Sequence, residues 1–266
     1  MDEIEWPKIG LGTYHLHGKK CIQVISDALD IGYRLIDTAQ SYENEFSIGE
    51  ALKSSPVPRE EIILCTKIAT KNMNPMGMFR SIQVSLRKLG TEYIDVLMVH
   101  WPKPSVYNPK ILFPALKDFM KHGFCKTIGV CNFTPSLLEQ AISIYDTTIE
   151  SNQIEVHAGF ANEKILSINS SSNIQTIAHT PLGQGEIEYF SILQGLAKKY
   201  EKTVAQIGLA YVISKKAVPI PKTTKKNHLL DNFEAVDVKL SKSDVEEIDR
   251  IPQQRLVNPT FMNWDS

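Results

Sequence analysis

The chain has 266 residues, 42% of them hydrophobic, and a formal net charge of −1. That length and apolar content suit one large α/β domain or two small ones. The near balance of charge argues against nucleic acid or an anionic membrane surface as partner. The four cysteines, Cys21, Cys65, Cys125 and Cys131, lack any C-x-x-C spacing, so a reduced, cytoplasmic setting is expected and a metal site is not. The N-terminal Met-Asp-Glu-Ile-Glu-Trp has no apolar core of a signal peptide. The nearest approach to a membrane span, Tyr93 to Trp101, is short and interrupted by Asp95.

Ile9 to Thr13 reads as a first strand ending in glycines. Gly10 and Gly12 begin a G-x-G-x-x-G, but His15 stands where the third glycine belongs, so the dinucleotide fingerprint fails. Ile22, Ile25 and Leu29 then mark a helix stopped by Gly32. Leu35 and Ile36 form a buried strand running into Asp37, with Tyr42 just past a short polar turn. A helix over Glu45–Leu52 and a proline loop precede a strand from Ile62 to Lys67. Met78, Phe79, Ile82, Leu86 and Leu89 make one helical face stopped by Gly90. Tyr93 to His100 is a strand, followed by a helix to about Lys121. Thr127 to Asn132 is the next strand, and Thr134-Pro135 opens a helix as N-cap and first helical residue. Ser151–Val156 and Ile174–Thr180 are strands six and seven; helical patterns cover Tyr189–Tyr200 and Val204–Ser214. Ala217–Lys222 is the eighth strand. A helix begins near Lys226, and Ser241 to Asp244 opens the last one, which Pro252 ends. Eight strand–helix units without linker or repeat predict a single-domain (β/α)8 barrel over residues 1–266.

In such a barrel the strand C-termini form one active face. Asp37, Lys67 and His100 would meet there, with Tyr42 beside them. Taken singly, each has a plainer explanation: Asp37 as a helix cap, Tyr42 as a surface ring, Lys67 as a snorkelling amine, His100 as a core histidine. Taken together they make a chemical unit. A buried lysine needs an anion, and Asp37 is the candidate. An ammonium beside a phenol favours phenolate and lowers its pKa from about 10. Histidine can donate to a substrate oxygen. The set would bind, polarise and protonate a carbonyl. None of them is a hydride donor, so a nicotinamide cofactor is the natural complement.

Read as a whole, the chain resembles the aldo-keto reductase family. The motifs carrying the likeness are Gly10-Leu-Gly-Thr13, Asp37-Thr-Ala-Gln-Ser-Tyr42, Thr66-Lys67, Val99-His-Trp-Pro102, Gly129-Val-Cys-Asn-Phe133, Asn152-Gln153, Pro181-Leu-Gly-Gln-Gly185 and Ile220-Pro-Lys222. Within the family it is most similar to short bacterial reductases of 2,5-diketo-gluconate and methylglyoxal, a likeness that Arg255 to Pro259 and Trp264-Asp265 extend. The resemblance implies Tyr42 as general acid, Lys67 as its partner, Asp37 as the anion holding Lys67, and His100 orienting the carbonyl. It implies Asn132 and Gln153 on the nicotinamide carboxamide, Gly12 and Thr13 along the cofactor, and Leu182 and Gly183 at the pyrophosphate. Lys222 and Thr223, with Asn232 further along, would meet the adenosine end, whose 2′-phosphate makes NADPH the expected donor. Tyr14, Trp101, Leu256 and Trp264 would wall the pocket for a small carbonyl substrate.

Three positions depart from the family pattern. Cys131 replaces a serine beside the carboxamide. His179 replaces the aromatic ring that stacks on the nicotinamide. His228 replaces an arginine for the 2′-phosphate, or else is a solvated surface histidine. The loop after Gly185 is short. A monomer is expected. The rival reading is a regulatory protein that senses cofactor on the same barrel.

Overall fold

The computed structural model describes residues 4–144 and 149–264. Asp265, the end of the Trp264-Asp265 likeness, lies outside them. Eight strands form one sheet in sequence order, every neighbouring pair parallel. They are β1 (Leu11–Gly12), β2 (Leu35–Asp37), β3 (Ile63–Ile68), β4 (Ile94–Val99), β5 (Cys125–Cys131), β6 (Ser151–Glu155), β7 (Gln175–His179) and β8 (Ala217–Pro219). The barrel closes where Gly10 N donates to Pro219 O (2.9 Å) and Gly12 N to Pro221 O (3.1 Å). Prolines cannot donate to a ladder, and here the seam asks them only to accept. A Cβ on Gly12 would sit 2.6 Å from Ile220 O, so this glycine serves the close approach of β1 to β8.

The helices are α1 (Gly18–Ile31), α2 (Glu45–Ser54), α3 (Pro75–Leu89), α4 (Pro109–Lys121), α5 (Pro135–Ile144), α6 (Glu163–Ser171), α7 (Ser191–Tyr200), α8 (Val204–Ser214), α9 (Lys226–Glu234) and α10 (Lys242–Asp249). Their ends follow local chemistry. Asn74 caps α3 by accepting from Gly77 N, Pro75 takes the first position, and Gly90 closes it at φ 63°. The Ser241 side chain caps α10 by accepting from Asp244 N. None of the described helices is long and apolar enough to cross a membrane.

Strand β1 is shorter than the expected Ile9–Thr13 and β8 ends at Pro219 rather than Lys222, and two helices also differ from the pattern reading. Helix α6 is unmarked in the sequence because its inner face carries Asn169, which donates to Thr176 Oγ1 and accepts from Asn152 Nδ2, beside only Ile165 and Leu166. Helix α7 begins at Ser191 rather than Tyr189; Gly183–Tyr189 instead forms a 3-10 turn, with Tyr189 exposed.

Successive strand residues point to opposite faces, so alternate residues fill the barrel interior. Leu35, Cys65, Val96, Met98, Ile177, Val218 and Ile220 form that inner cluster. Ile36, Leu64, Leu97 and Val130 belong to the layer shared with the helices. The two-residue period then carries Asp37, Lys67, His100 and His179 onto the inner face, at the ends of β2, β3, β4 and β7.

Candidate active site

Asp37 and Lys67 lie at the centre of the upper barrel, their side chains 3% and 0% exposed. Lys67 Nζ donates to Asp37 Oδ1 (2.8 Å), Asp37 Oδ2 (2.7 Å) and Thr38 O (2.9 Å). Gln153 Nε2 adds a bond to Asp37 Oδ1 at 2.7 Å. Burial alone would lower the lysine pKa, but the Asp37 carboxylate, helped by Tyr42, holds it above the ordinary value. The ammonium is therefore a fixed charge.

Tyr42 reaches this pair from a 3-10 turn, Gln40–Tyr42. Gln40 fixes the turn: its Oε1 accepts from Ala69 N (3.0 Å) and Asn72 Nδ2 (2.9 Å). Lys67 Nζ is 5.1 Å from the centre of the Tyr42 ring. Burial pushes the Tyr42 hydroxyl up to about 12, and the Lys67 ammonium offsets only part of that rise. This corrects the simpler expectation of a lowered phenol pKa: desolvation of the phenolate outweighs the neighbouring charge.

His100 stands edge-on to Tyr42 with ring centroids 5.6 Å apart, and its Nδ1 is 3.1 Å from Ser41 Oγ. Burial, then the charges of Lys67 and His179, bring its pKa down to about 3. The imidazole is neutral at ordinary pH. Tyr14, half exposed, stands 4.9 Å from the Tyr42 ring on the other side. Thr13 Oγ1 donates to Asp37 O (2.8 Å), while Asn44 Nδ2 donates to Thr13 O (2.8 Å) and Asn44 Oδ1 accepts from Thr38 Oγ1 (2.6 Å). Asn44 thus ties the end of β1 to the end of β2.

The residues assigned to a nicotinamide form one polar patch at β5–β7. Asn132, at φ 61°, donates from Nδ2 to His100 O (3.2 Å), and its Oδ1 lies 2.9 Å from His179 Nε2. His179 also reaches Thr180 Oγ1 from Nδ1 at 3.0 Å. Burial holds the His179 pKa down to about 4, and pushes the Cys131 thiol up to about 12. Gln153 Oε1 accepts a long bond from that thiol at 3.8 Å and keeps acceptor capacity for a carboxamide N–H. Leu182 is half-buried and Gly183 buried, at φ 52°. Beyond β8, Thr223 is 8% and Asn232 4% exposed, while Lys222, Lys225 and His228 are exposed beside the N-terminus of α9. Those basic side chains at a helix N-terminus fit a phosphate; Lys226 is already paired with Asp27 at 2.9 Å. The donor set therefore suits a nicotinamide dinucleotide.

A cleft of about 510 Å³ opens next to His100, lined by Ser41, Thr70, Trp101, Val257, Asn258, Pro259 and Phe261. Of the four residues expected to wall it only Trp101 does so, and three sit differently: Tyr14 stands against the Tyr42 ring. Trp264 packs edge-on to Trp101 (6.2 Å) with the Arg255 guanidinium 3.7 Å from its ring. Leu256 is half-buried and gives its N–H to Glu155 Oε1. A second cleft of about 500 Å³ lies at the opposite end of the barrel, among Trp6, Glu150, Asn169, Gln175 and Lys216, away from the four central residues.

Gln40, Ser41, Asn44 and Glu155 were not anticipated from the sequence. Gln40 and Ser41 read as turn residues, and Asn44, which precedes α2 without a side-chain cap bond, carried no reading. Glu155 offered one signal: it is an acidic residue between Ile154 and Val156 at the end of a strand.

A family model for the aldo/keto reductase family matches residues 8–253. The chain is 34% identical to methylglyoxal reductase DkgA of Escherichia coli (strain K12) over 255 residues, 95% of this chain and 92% of that protein. It is also 34% identical to methylglyoxal reductase DkgB of Escherichia coli O157:H7 over 264 residues, 97% and 99% of the two chains. Among solved structures, a putative 2,5-diketo-D-gluconic acid reductase B superposes with a TM-score of 0.94 at 29% identity, covering 98% of this chain and 94% of that one. The aldose reductase of Schistosoma japonicum gives 0.91 at 26% identity, with 96% and 92% covered.

Proposed function

The chain belongs to the aldo/keto reductase family, and from that premise we propose that this oxidoreductase reduces small aldehydes and ketones of the methylglyoxal or diketo-gluconate type with NADPH. The observation that carries the reading is the Asp37–Lys67 pair packed against Tyr42 and His100 at one mouth. Reduced nicotinamide, when bound, supplies the hydride.

The chain's own groups manage the oxygen. With Ser41 at Nδ1 of a neutral His100, the other ring nitrogen is left to donate to the carbonyl oxygen and polarise it. As negative charge grows on that oxygen, the Tyr42 hydroxyl gives it a proton. The phenolate left behind faces the Lys67 ammonium, whose charge is secured by Asp37. A phenol near pKa 12 is still a far stronger acid than the alcohol being formed. The thiol of Cys131 stays protonated and has no acid–base task. Asn132 and Gln153 hold the carboxamide, Gly12, Thr13, Leu182 and Gly183 follow the cofactor, and Lys222, Thr223, His228 and Asn232 take the adenosine end.

The support for NADPH over NADH is the exposed cationic set at α9, and the support for a small substrate is the names of the relatives and the short loops. We further infer one domain, acting as a cytoplasmic monomer. The cofactor-sensing alternative finds no support in the relatives. The test is NADPH oxidation with methylglyoxal, 2,5-diketo-gluconate and steroid ketones, in the native protein and Tyr42→Phe. Short carbonyls should be preferred, and the Phe variant should lose at least about 100-fold in kcat with NADPH binding nearly unchanged. Near-native turnover without the hydroxyl would reject the assignment.

A further inference from the structure

One wall of the cleft beside His100 comes from the C-terminal segment: Val257, Asn258, Pro259 and Phe261. This stretch contains no helix or strand, so its position depends on bonds made elsewhere. Glu155, at the end of β6, supplies two of them. Its side chain is completely buried. Oε1 accepts from Leu256 N at 2.7 Å and Oε2 from Val257 N at 3.0 Å, across 101 and 102 residues of sequence. His157 Nε2 lies 3.1 Å from Oε1, and its Nδ1 is held 2.8 Å from Ala158 O.

A carboxylate in such a place is tolerable only if directed bonds replace its water. Here most of those bonds come from the segment it holds. Burial opposes ionisation, but His157 and the two amides together keep the Glu155 pKa below its ordinary value. The geometry is specific to a carboxylate, since two consecutive N–H groups meet two acceptor oxygens. A glutamine in its place would turn an NH2 toward one of them. Past the anchor, Phe261 and Trp264 come to rest 5.7 and 6.2 Å from Trp101, and Arg255 lies between Phe160 (4.5 Å) and Trp264 (3.7 Å).

We propose that Glu155 is a positioning residue for substrate selection: by gripping the Leu256 and Val257 amides it sets the wall that faces His100 and Trp101. The inference rests on reading that cleft as the carbonyl pocket. It predicts a split between substrates. Methylglyoxal is too small to depend on the wall, whereas 4-nitrobenzaldehyde is long enough to reach from His100 to it.

In full-length Glu155→Gln with NADPH, the KM for 4-nitrobenzaldehyde should rise about tenfold, with kcat and the methylglyoxal KM within about twofold of native. Hydrogen exchange should quicken at residues 257–261 and stay unchanged in the strands. Unchanged exchange there overturns the anchoring. Equal KM changes for both aldehydes, or none, overturn its role in selection and leave Glu155 a structural brace. If Glu155→Gln does not fold, Glu155→Asp keeps the charge but shortens its reach to the two amides, and the same two readouts decide. Failure of the catalytic reading is separate: it shows as an active Tyr42→Phe protein, and the exchange result is independent of turnover.

Discussion

Asp37 is the residue on which the others in the site depend. Its carboxylate accepts from Lys67 twice and from Gln153 once, so its burial is matched by partners whose own burial it makes possible. Removing one side of such a pair typically costs about 3–5 kcal/mol because the remaining charge is stranded. Around this one ion pair the histidines are neutral and the thiol protonated. A developing charge on a substrate oxygen therefore meets few competing charges. At the cofactor's other end the residue of interest is His228, exposed beside Lys222 and Lys225. If His228 meets the adenosine 2′-phosphate, His228→Gln should weaken NADPH binding and leave NADH binding unchanged. Dissociation constants for both cofactors, measured by fluorescence quenching in the two proteins, check this. An NADPH constant equal to the native one would make His228 a solvated surface residue.

At the scale of elements, each strand contributes through its last inward position. Strand β2 is three residues long, enough for Leu35 to face the interior core and Asp37 to face the site. The 3-10 turn at Gln40–Tyr42 turns a loop residue into a fixed one, because Gln40 bonds the start of the loop after β3. The segment after β7 behaves differently from a long closing loop. It is a compact 3-10 turn, Gly183–Tyr189, with Gln184 and Gly185 at positive φ and α7 starting at Ser191. So short a turn leaves little chain to fold over a bound cofactor, and cofactor release should be fast. Hydride transfer should then limit kcat. Saturating deuterated NADPH should slow steady-state turnover. An unchanged kcat would show that release is limiting and that the turn retains the cofactor after all.

The whole molecule inherits a pH dependence from its site. Folded His100 and His179 resist protonation until about pH 3 and about pH 4, whereas an unfolded histidine takes up its proton near pH 6.5. From about pH 6.5 down to 4 the unfolded chain binds more protons, so stability is full above that window and falls as pH falls. Each histidine contributes up to about 1.4 kcal/mol per pH unit. Urea unfolding at pH 7, 6 and 5 should show this loss, and His179→Gln should flatten it. Equal pH slopes in the two proteins would show that His179 is not held neutral by the fold. Catalytic polarity and acid sensitivity would thus have a common origin, the burial of ionisable groups at the top of the barrel.

Much was legible in the sequence because it is local. Apolar periods, Gly32 and Gly90 as helix stops, Thr134-Pro135 as a helix start, and the order of eight strands all follow from short-range sterics and side-chain alternation. The residues at the strand ends were legible too: a lysine or aspartate closing an apolar run is costly unless paired. Helix α6 was not, because Asn169 breaks its apolar face for the sake of partners on β6 and β7. Only the tertiary structure decided how charge is distributed, since pKa depends on burial and neighbours from distant segments. Tyr42 illustrates this, with desolvation overtaking the ammonium that the sequence placed beside it. The same holds for Gln153 turning to Asp37, His179 bonding Asn132, and Glu155 holding an amide pair more than a hundred residues away. Such contacts are set by barrel closure, which brings strands together whatever their separation along the chain.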